Sequence, residues 1–116
     1  MTQVTIYHNP KCSKSRETFA LLQRRGVALR VIEYLKTPPS AAELDRILKL
    51  LNLEPRALMR RNEAEYRDLG LDNDKLTRAQ LIGAMVKNPR LIERPIVLAN
   101  GKAAIGRPPG NAVKIV

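Results

Sequence analysis

The segment VTIYHNPKCSKSRETFALL, residues Val4–Leu22, predicts most of the fold. It begins with β-branched and aromatic residues, which favour a strand. It ends with apolar residues at helical spacing, which favour an amphipathic helix. Cys12 lies in the polar turn between them, near the first free amides of the helix. Those amides and the positive end of the helix dipole favour a thiolate at this position.

Cys12 is the one cysteine of the 116-residue chain. A lone cysteine in a small domain is commonly an inert packing residue. Its neighbours here are cationic instead, with Lys11, Lys14 and Arg16 around it. Because positive charge lowers the pKa of a thiol, we predict a reactive nucleophile. A single cysteine also excludes an internal disulfide framework and fits a reducing compartment.

The chain has a formal net charge of +10 and a pI near 10.4, so its surface attracts anions. Nucleic acid is the usual partner of a basic small domain. However, the cations are spread along the chain, and the aromatic residues (Tyr7, Phe19, Tyr34 and Tyr66) are too few for a stacking platform. We therefore expect a small oxyanion or an acidic protein as partner, and not nucleic acid.

No apolar run approaches the roughly 20 residues that a membrane span requires. The N-terminus leads directly into a strand, without the apolar core of a signal peptide. We therefore expect a protein that does not enter the membrane and that works in the cytoplasm.

Outside the opening segment, the pattern predicts three parts of one domain over residues 1–116. In residues 1–36, Gly26 ends the first helix and Val31–Tyr34 forms a second strand, which completes a βαβ unit with parallel strands. Residues 40–88 read as a helical insertion. It has capping boxes at Ser40–Glu43 and Thr77–Gln80, and Pro55 opens a helix between them.

Residues 94–116 predict a ββα unit. Pro95–Ala99 and Lys102–Ile105 read as strands, joined by the hairpin signal Asn100-Gly101, and residues 111–116 as a short final helix. The fold class is therefore α/β, with a four-stranded mixed sheet. A reactive cysteine directly after the first strand of such a sheet is typical of a thioredoxin-like fold. In that fold Pro95 is the candidate for a cis peptide bond.

Arg60, Arg94 and Arg107 are candidates for binding an oxyanion. Arg94 and Arg107 each precede a proline that restricts the local backbone. A thiolate that attacks a charged oxyanion meets like-charge repulsion, which planar guanidinium groups relieve through bidentate hydrogen bonds. The alternative is that these arginines are solvated surface groups, and spacing alone does not favour Arg60 over Arg61.

Four motifs resemble the glutaredoxin-coupled arsenate reductase family: YHNPKCSKSR, YLKTPP, RALMR and RPIV, at Tyr7–Arg16, Tyr34–Pro39, Arg56–Arg60 and Arg94–Val97. The resemblance extends over essentially the whole chain and is strongest to a short bacterial branch. One departure lies inside the first motif, where Ser13-Lys14 replaces the Gly-Thr that is common in the arsenate enzymes.

The resemblance implies a role for each matching residue. Cys12 is the nucleophile, and Arg60, Arg94 and Arg107 bind the oxyanion. Ser15 belongs to the anion-binding turn. His8 influences the thiolate, as an imidazolium whose unperturbed pKa lies near 6.5. From the residues alone, His8 is equally a strand-end histidine exposed to water.

The implied reaction converts arsenate to arsenite, with glutathione as co-substrate, glutaredoxin as partner, and no bound cofactor or metal. Two alternatives stay open. One is a thioredoxin-like redox regulator that binds RNA polymerase, although Ser15 stands where such regulators have a second cysteine. The other is a reductase of another oxyanion or of a thiol substrate.

Overall fold

The structure is a computed structural model and describes residues 3–116. The chain forms two compact units. We call residues 3–37 with 94–116 the sheet unit, and residues 38–93 the helical unit. The elements, in chain order, are β1 (Gln3–His8), α1 (Ser13–Arg24), β2 (Ala28–Glu33), α2 (Ala41–Leu51), α3 (Ala64–Asp68), α4 (Arg78–Lys87), β3 (Ile96–Ala99), β4 (Lys102–Ile105) and α5 (Gly110–Val113).

The sheet unit contains one four-stranded mixed sheet in the order β2-β1-β3-β4. β1 pairs in parallel with β2 and antiparallel with β3, and β3 pairs antiparallel with β4. Tyr7, near the end of β1, is opposite Ile96 at the start of β3. This register brings the loop that follows β1, which carries Cys12, beside the residues that precede β3. The predicted mixed sheet is thereby confirmed.

The core of the sheet unit is mostly aliphatic, and Tyr7 and Tyr34 are the aromatic residues buried in this unit. The inward face of α1 buries Ser15, Thr18 and Leu22. One buried cluster joins α1 to β1, β3 and α5, and it consists of Val4, Ile6, Leu22, Val97, Ala99 and Ala112. Burial of these side chains contributes about 25 cal/mol for each Å² of apolar surface removed from water.

The helical unit is built from capped helices, as predicted. The Ser40 hydroxyl accepts a hydrogen bond from the Glu43 amide at the start of α2. Thr77 and Gln80 form a reciprocal capping box at the start of α4. The segments around Met59 and Ile92 pair as an isolated antiparallel bridge. This bridge places residue 60 beside residues 91–93.

Several predicted element boundaries were wrong, and β3 begins at Ile96, one residue after the predicted start at Pro95. Pro55 opens a single 3-10 turn, Pro55–Leu58, and not an α-helix, because the chain becomes extended at Met59 to form the bridge. β2 begins at Ala28 rather than Val31, because pairing with β1 extends it. The last helix is one turn long and ends at Val113. The single domain over residues 1–116 remains a prediction.

The hairpin between β3 and β4 turns at Asn100 and Gly101, whose φ values of 54° and 70° are those of the predicted two-residue turn. Within residues 3–116, no helix is long and apolar enough to cross a bilayer.

Gly106, directly after β4, lies where three elements of the sheet unit meet. Its amide donates a hydrogen bond to the carbonyl oxygen of Pro95, at 2.8 Å. The Thr18 hydroxyl of α1 is 3.4 Å from the Gly106 carbonyl oxygen. A Cβ on Gly106 would be 2.5 Å from Thr18 Oγ1 and 2.8 Å from Pro95 Cγ. Since the proline ring is stiff and the threonine is buried, no side chain fits at this position.

We therefore expect Gly106→Ala to lower the free energy of unfolding by about 1–3 kcal/mol, the usual cost of overpacking. Gly83→Ala is the matched control, because a Cβ on this α4 glycine meets nothing within 4 Å. Alanine is a better helix former than glycine, so the free energy of unfolding of this control should rise by about 0.5–1 kcal/mol. Urea unfolding of both variants checks the prediction. A Gly106→Ala midpoint equal to the wild-type value would contradict it.

Candidate active site around Cys12

Cys12 is the N-cap residue of α1, and its backbone is extended, with φ −96° and ψ 125°. The Cys12 amide donates a hydrogen bond to the Asn9 carbonyl oxygen at 3.0 Å, and this bond closes the loop that precedes the helix. The Cys12 carbonyl oxygen then accepts the first helical hydrogen bond, from the Arg16 amide. The side chain is half-buried. The thiol therefore stands at the start of the helix, as the sequence predicts.

The pKa of the Cys12 thiol is lowered below its ordinary value. Partial burial acts in the opposite direction and is the largest single influence. It is outweighed by the Ser15 amide, by a hydrogen bond and the positive charge from Arg94, and by the Lys14 amide, which together stabilise the thiolate. The site is therefore suited to nucleophilic attack by sulfur.

Ser15 and His8 form a hydrogen-bonded pair behind this loop. Ser15 is fully buried, and its hydroxyl lies 2.6 Å from His8 Nδ1 and accepts a hydrogen bond from the Asn9 amide at 3.0 Å. The hydroxyl is thus engaged inside the loop, and it is the amide of Ser15 that acts on Cys12. The part that Ser15 plays in binding an oxyanion remains a prediction.

The pKa of His8 is lowered, first by burial and also by the nearby charge of Arg16, while Glu33 acts to raise it. The ring also stacks in a tilted arrangement on Phe19, with the centroids 5.3 Å apart. A lowered pKa favours the neutral imidazole at neutral pH. The geometry therefore favours His8 as a hydrogen-bond partner of Ser15 rather than as a cation beside the thiolate, and its predicted influence on the pKa of Cys12 remains a prediction.

Arg94 is the predicted arginine that the structure brings to Cys12. It directly precedes β3, and its peptide bond to Pro95 is cis. The Arg107–Pro108 bond is also cis, and Arg107 directly follows the buried contact of Gly106 with Pro95. The backbone segments that carry Arg94 and Arg107 are therefore joined by the hydrogen bond between Gly106 and Pro95. The Arg107 carbonyl oxygen accepts from the Asn111 side chain at 3.3 Å.

Arg60 belongs to the helical unit, where carboxylates surround its guanidinium. It forms an ion pair with Glu63, and its Nε is 4.0 Å from a carboxylate oxygen of Glu93. The Arg60 amide donates to the Leu91 carbonyl oxygen at 2.7 Å. Glu63 also contacts Arg90, at 3.2 Å. Arg60 is thus held in a defined environment, and its role toward an oxyanion remains a prediction.

The comparison with family models decides the family. Residues 7–115 match the model of the ArsC family, which is nearly the entire chain. This chain belongs to the ArsC family.

Similar proteins and solved structures support the same conclusion. The chain is 50% identical over 109 residues to an arsenate reductase of Neisseria meningitidis, with 93% of each chain covered. It is 55% identical over 115 residues to an uncharacterized Escherichia coli protein, YfgD, with 98% and 97% covered. A solved arsenate reductase structure from Vibrio cholerae superposes with a TM-score of 0.96 at 52% identity and covers 99% of this chain and 98% of that one. The predicted thioredoxin-like fold of the ArsC family is confirmed.

Sequence reasoning missed two groups that this ArsC family member uses to hold its candidate residues. The first is the acidic pair Glu63 and Glu93 at Arg60. The spacing of three residues between Arg60 and Glu63 could have indicated their ion pair. Glu93, in contrast, is brought near Arg60 only by the bridge between Met59 and Ile92. The second is Thr18, whose hydroxyl donates to the Lys14 carbonyl oxygen at 2.8 Å and faces Gly106.

Proposed function

We propose that this chain reduces arsenate to arsenite, with Cys12 as the nucleophile and with glutathione and glutaredoxin as external reductants. One observation carries the proposal: a thiolate at the start of α1 is stabilised by the Ser15 and Lys14 amides and by Arg94. The names of the Neisseria and Vibrio relatives, at 50% identity or above, support arsenate as the substrate.

The first step of the proposed reaction is attack of the Cys12 thiolate on arsenic(V). A sulfur–arsenic bond forms and one oxygen leaves as water after protonation. Arg94 has a double role here, because its charge stabilises the thiolate and compensates the negative charge of the incoming oxyanion. Arg107 and Arg60 are proposed to contribute further positive charge to the oxyanion.

The second step requires a thiol from outside, because Cys12 is the one cysteine of the chain. Glutathione attacks the adduct, and a disulfide forms between glutathione and Cys12. The two sulfur atoms give up two electrons, arsenic(V) becomes arsenic(III), and arsenite leaves. Glutaredoxin then removes glutathione from Cys12 and restores the thiol. A cytoplasmic location is part of this proposal, since the reducing glutathione pool is maintained there.

The test is arsenate-dependent oxidation of NADPH in a coupled assay with glutathione, glutaredoxin and glutathione reductase. We expect turnover that stops when arsenate, glutathione or this protein is omitted. Omission of glutaredoxin alone should stop turnover after the first equivalent of Cys12 has been consumed. No turnover in the complete mixture would contradict the proposal.

A redox regulator that binds RNA polymerase is the second candidate, and the net charge of +10 favours an acidic protein partner of this kind. This candidate would be supported if the complete mixture gave no turnover while the reduced protein retained purified polymerase on a column. Retention that is equal for reduced and oxidised protein would contradict a redox-sensing role.

A further inference from the structure

The positive charge of the chain is unevenly distributed between the two units. Of the 21 Lys and Arg residues, 10 lie in the helical unit, and of the 11 Asp and Glu residues, 9 lie there. The sheet unit therefore has the remaining 11 basic residues and 2 acidic ones, Glu17 and Glu33. The net charge of +10 belongs almost entirely to the sheet unit, and the positions of its cations determine what this unit attracts.

The strand directions define two ends of the sheet unit. β1 and β2 run in parallel from the end where β2 begins, at Ala28, toward the end that carries Cys12. α1 runs back in the opposite direction, so Arg24 and Arg25 at its C-terminus lie at the end opposite Cys12. Twelve residues separate Cys12 from Arg24, which corresponds to about 18 Å along the helix axis.

The hairpin and the segment after α5 add two cations to this end. Lys102, the first residue of β4, is opposite Ala99 at the end of β3. Lys114 adjoins Ile115, whose carbonyl oxygen accepts a hydrogen bond from the Asn100 side chain of the hairpin at 2.8 Å. We call Arg24, Arg25, Lys102 and Lys114 the basic end. All four residues are exposed to solvent.

No Asp or Glu side chain of the described sheet unit lies at the basic end. Glu33 is the last residue of β2, opposite His8, and its carboxylate is 3.7 Å from Lys36 Nζ. Glu17 is on the second turn of α1, and its carboxylate is 3.6 Å from Lys14 Nζ. Both acidic residues of this unit are therefore engaged by lysines elsewhere. The cations of the basic end repel one another, and an acidic partner would relieve that repulsion.

An apolar groove of about 550 Å³ adjoins the basic end. Ala20, Leu21 and Arg24 of α1 line one side of it, and Pro109 and Gly110 at the start of α5 line the other. Nucleic acid contacts cations mainly through its phosphates and would leave this apolar strip exposed to water. A protein partner buries such a strip at the centre of the contact and keeps charged groups at the rim. The combination therefore favours an acidic protein segment over a nucleic acid.

We propose that the groove and the basic end together dock an acidic protein segment in the form of an amphipathic helix. Its apolar side chains pack on Leu21 and Pro109, and its carboxylates pair with the cations of the basic end. This inference does not depend on the proposed function. Because the basic end is about 18 Å from Cys12 along α1, the docked segment leaves the thiol free to react.

The probe is a fluorescein-labelled peptide of about 15 residues, roughly four helical turns, with leucines along one face and glutamates along the other. Fluorescence anisotropy measures its affinity for the full chain at low salt. A second peptide has serine in place of each leucine, and a DNA duplex of similar length represents nucleic acid. We expect the leucine peptide to bind at least about tenfold more tightly than the serine peptide, because burial of leucine side chains strengthens the contact.

Two variants test the two parts of this surface. The double change Arg24→Glu with Arg25→Glu should weaken binding of the leucine peptide roughly tenfold or more, because charge-assisted contacts are lost. Leu21→Gln should weaken the leucine peptide and leave the serine peptide unchanged. The matched control is Arg30→Glu with Lys36→Glu, which makes the same change in net charge at exposed positions outside this surface.

The rate at which iodoacetamide alkylates Cys12 should be the same with and without saturating leucine peptide. A slower rate would overturn the proposal, because the peptide would then lie on the cations around the nucleophile. Equal weakening by the control variant would also overturn it, since it would reveal only general attraction to a positive surface. Equal affinity of the two peptides would exclude the groove. Tighter binding of the duplex than of the leucine peptide, or a peptide Kd above about 1 mM, would exclude an acidic protein segment as the occupant.

Discussion

Replacing Cys12 with serine should reduce arsenate turnover to the background of the coupled assay, a loss of roughly 10³-fold or more. The serine hydroxyl is not ionised at neutral pH, and therefore neither the Ser15 amide nor Arg94 has an anion to stabilise. Because Cys12 is half-buried and serine has nearly the same shape, the free energy of unfolding should change by less than about 1 kcal/mol.

The matched control is Ser13→Ala, which alters the neighbouring residue at an exposed position on the first turn of α1. This variant should retain most of the wild-type turnover. Turnover above one-tenth of the wild-type rate in Cys12→Ser, with an unchanged unfolding midpoint, would show that the nucleophile is another group.

Arg94→Ala should have the second-largest effect, a decrease in kcat/KM for arsenate of about 10²–10³-fold. Partial burial alone would raise the pKa of Cys12, and the Ser15 amide together with Arg94 reverses that tendency. Removing Arg94 should therefore raise the pKa of Cys12. A lowered pKa keeps the sulfur ionised to lower pH, so the rise of the iodoacetamide alkylation rate with pH should move to higher pH in the variant.

Arg90→Ala is the charge-matched control for Arg94→Ala. The Arg90 side chain is 66% exposed and contacts the carboxylates of Glu63 and Glu65, far along the chain from Cys12. Its alkylation profile should coincide with that of the wild type. An unchanged alkylation profile in Arg94→Ala would contradict the role of Arg94 in stabilising the thiolate, whatever happened to turnover. Arg94→Lys separates charge from shape, because lysine keeps the charge and lacks the planar fork.

Local signals were sufficient to predict the regular elements of this fold. The alternation from strand to helix around Cys12, the capping box at Thr77, and the turn at Asn100-Gly101 each act within a few residues. Tertiary pairing determined the places where prediction failed. β2 starts three residues early because it pairs with β1, and the segment after Pro55 leaves the helical conformation to form the bridge at Met59.

In the site, too, local signals predicted some features, and the features that depend on tertiary contacts were missed. Position in the chain is enough to place Cys12 at a helix start. The engagement of the Ser15 hydroxyl by His8, seven residues earlier, depends on how the loop folds back, and no sequence pattern encodes it. Glu93 reaches Arg60 across 33 positions of the sequence, through an antiparallel pairing that local reasoning does not detect.

The two sides of helix α1 differ in what a substitution can disturb. Its inward side buries Ser15, Thr18 and Leu22, and a change there alters the alignment of the nucleophile or the core. Its outward side, with Ala20 and Arg24, lines an open groove and supports neither. A substitution on the outward side should therefore leave the thiol chemistry and the free energy of unfolding nearly unchanged, so this side of the helix can be altered one residue at a time.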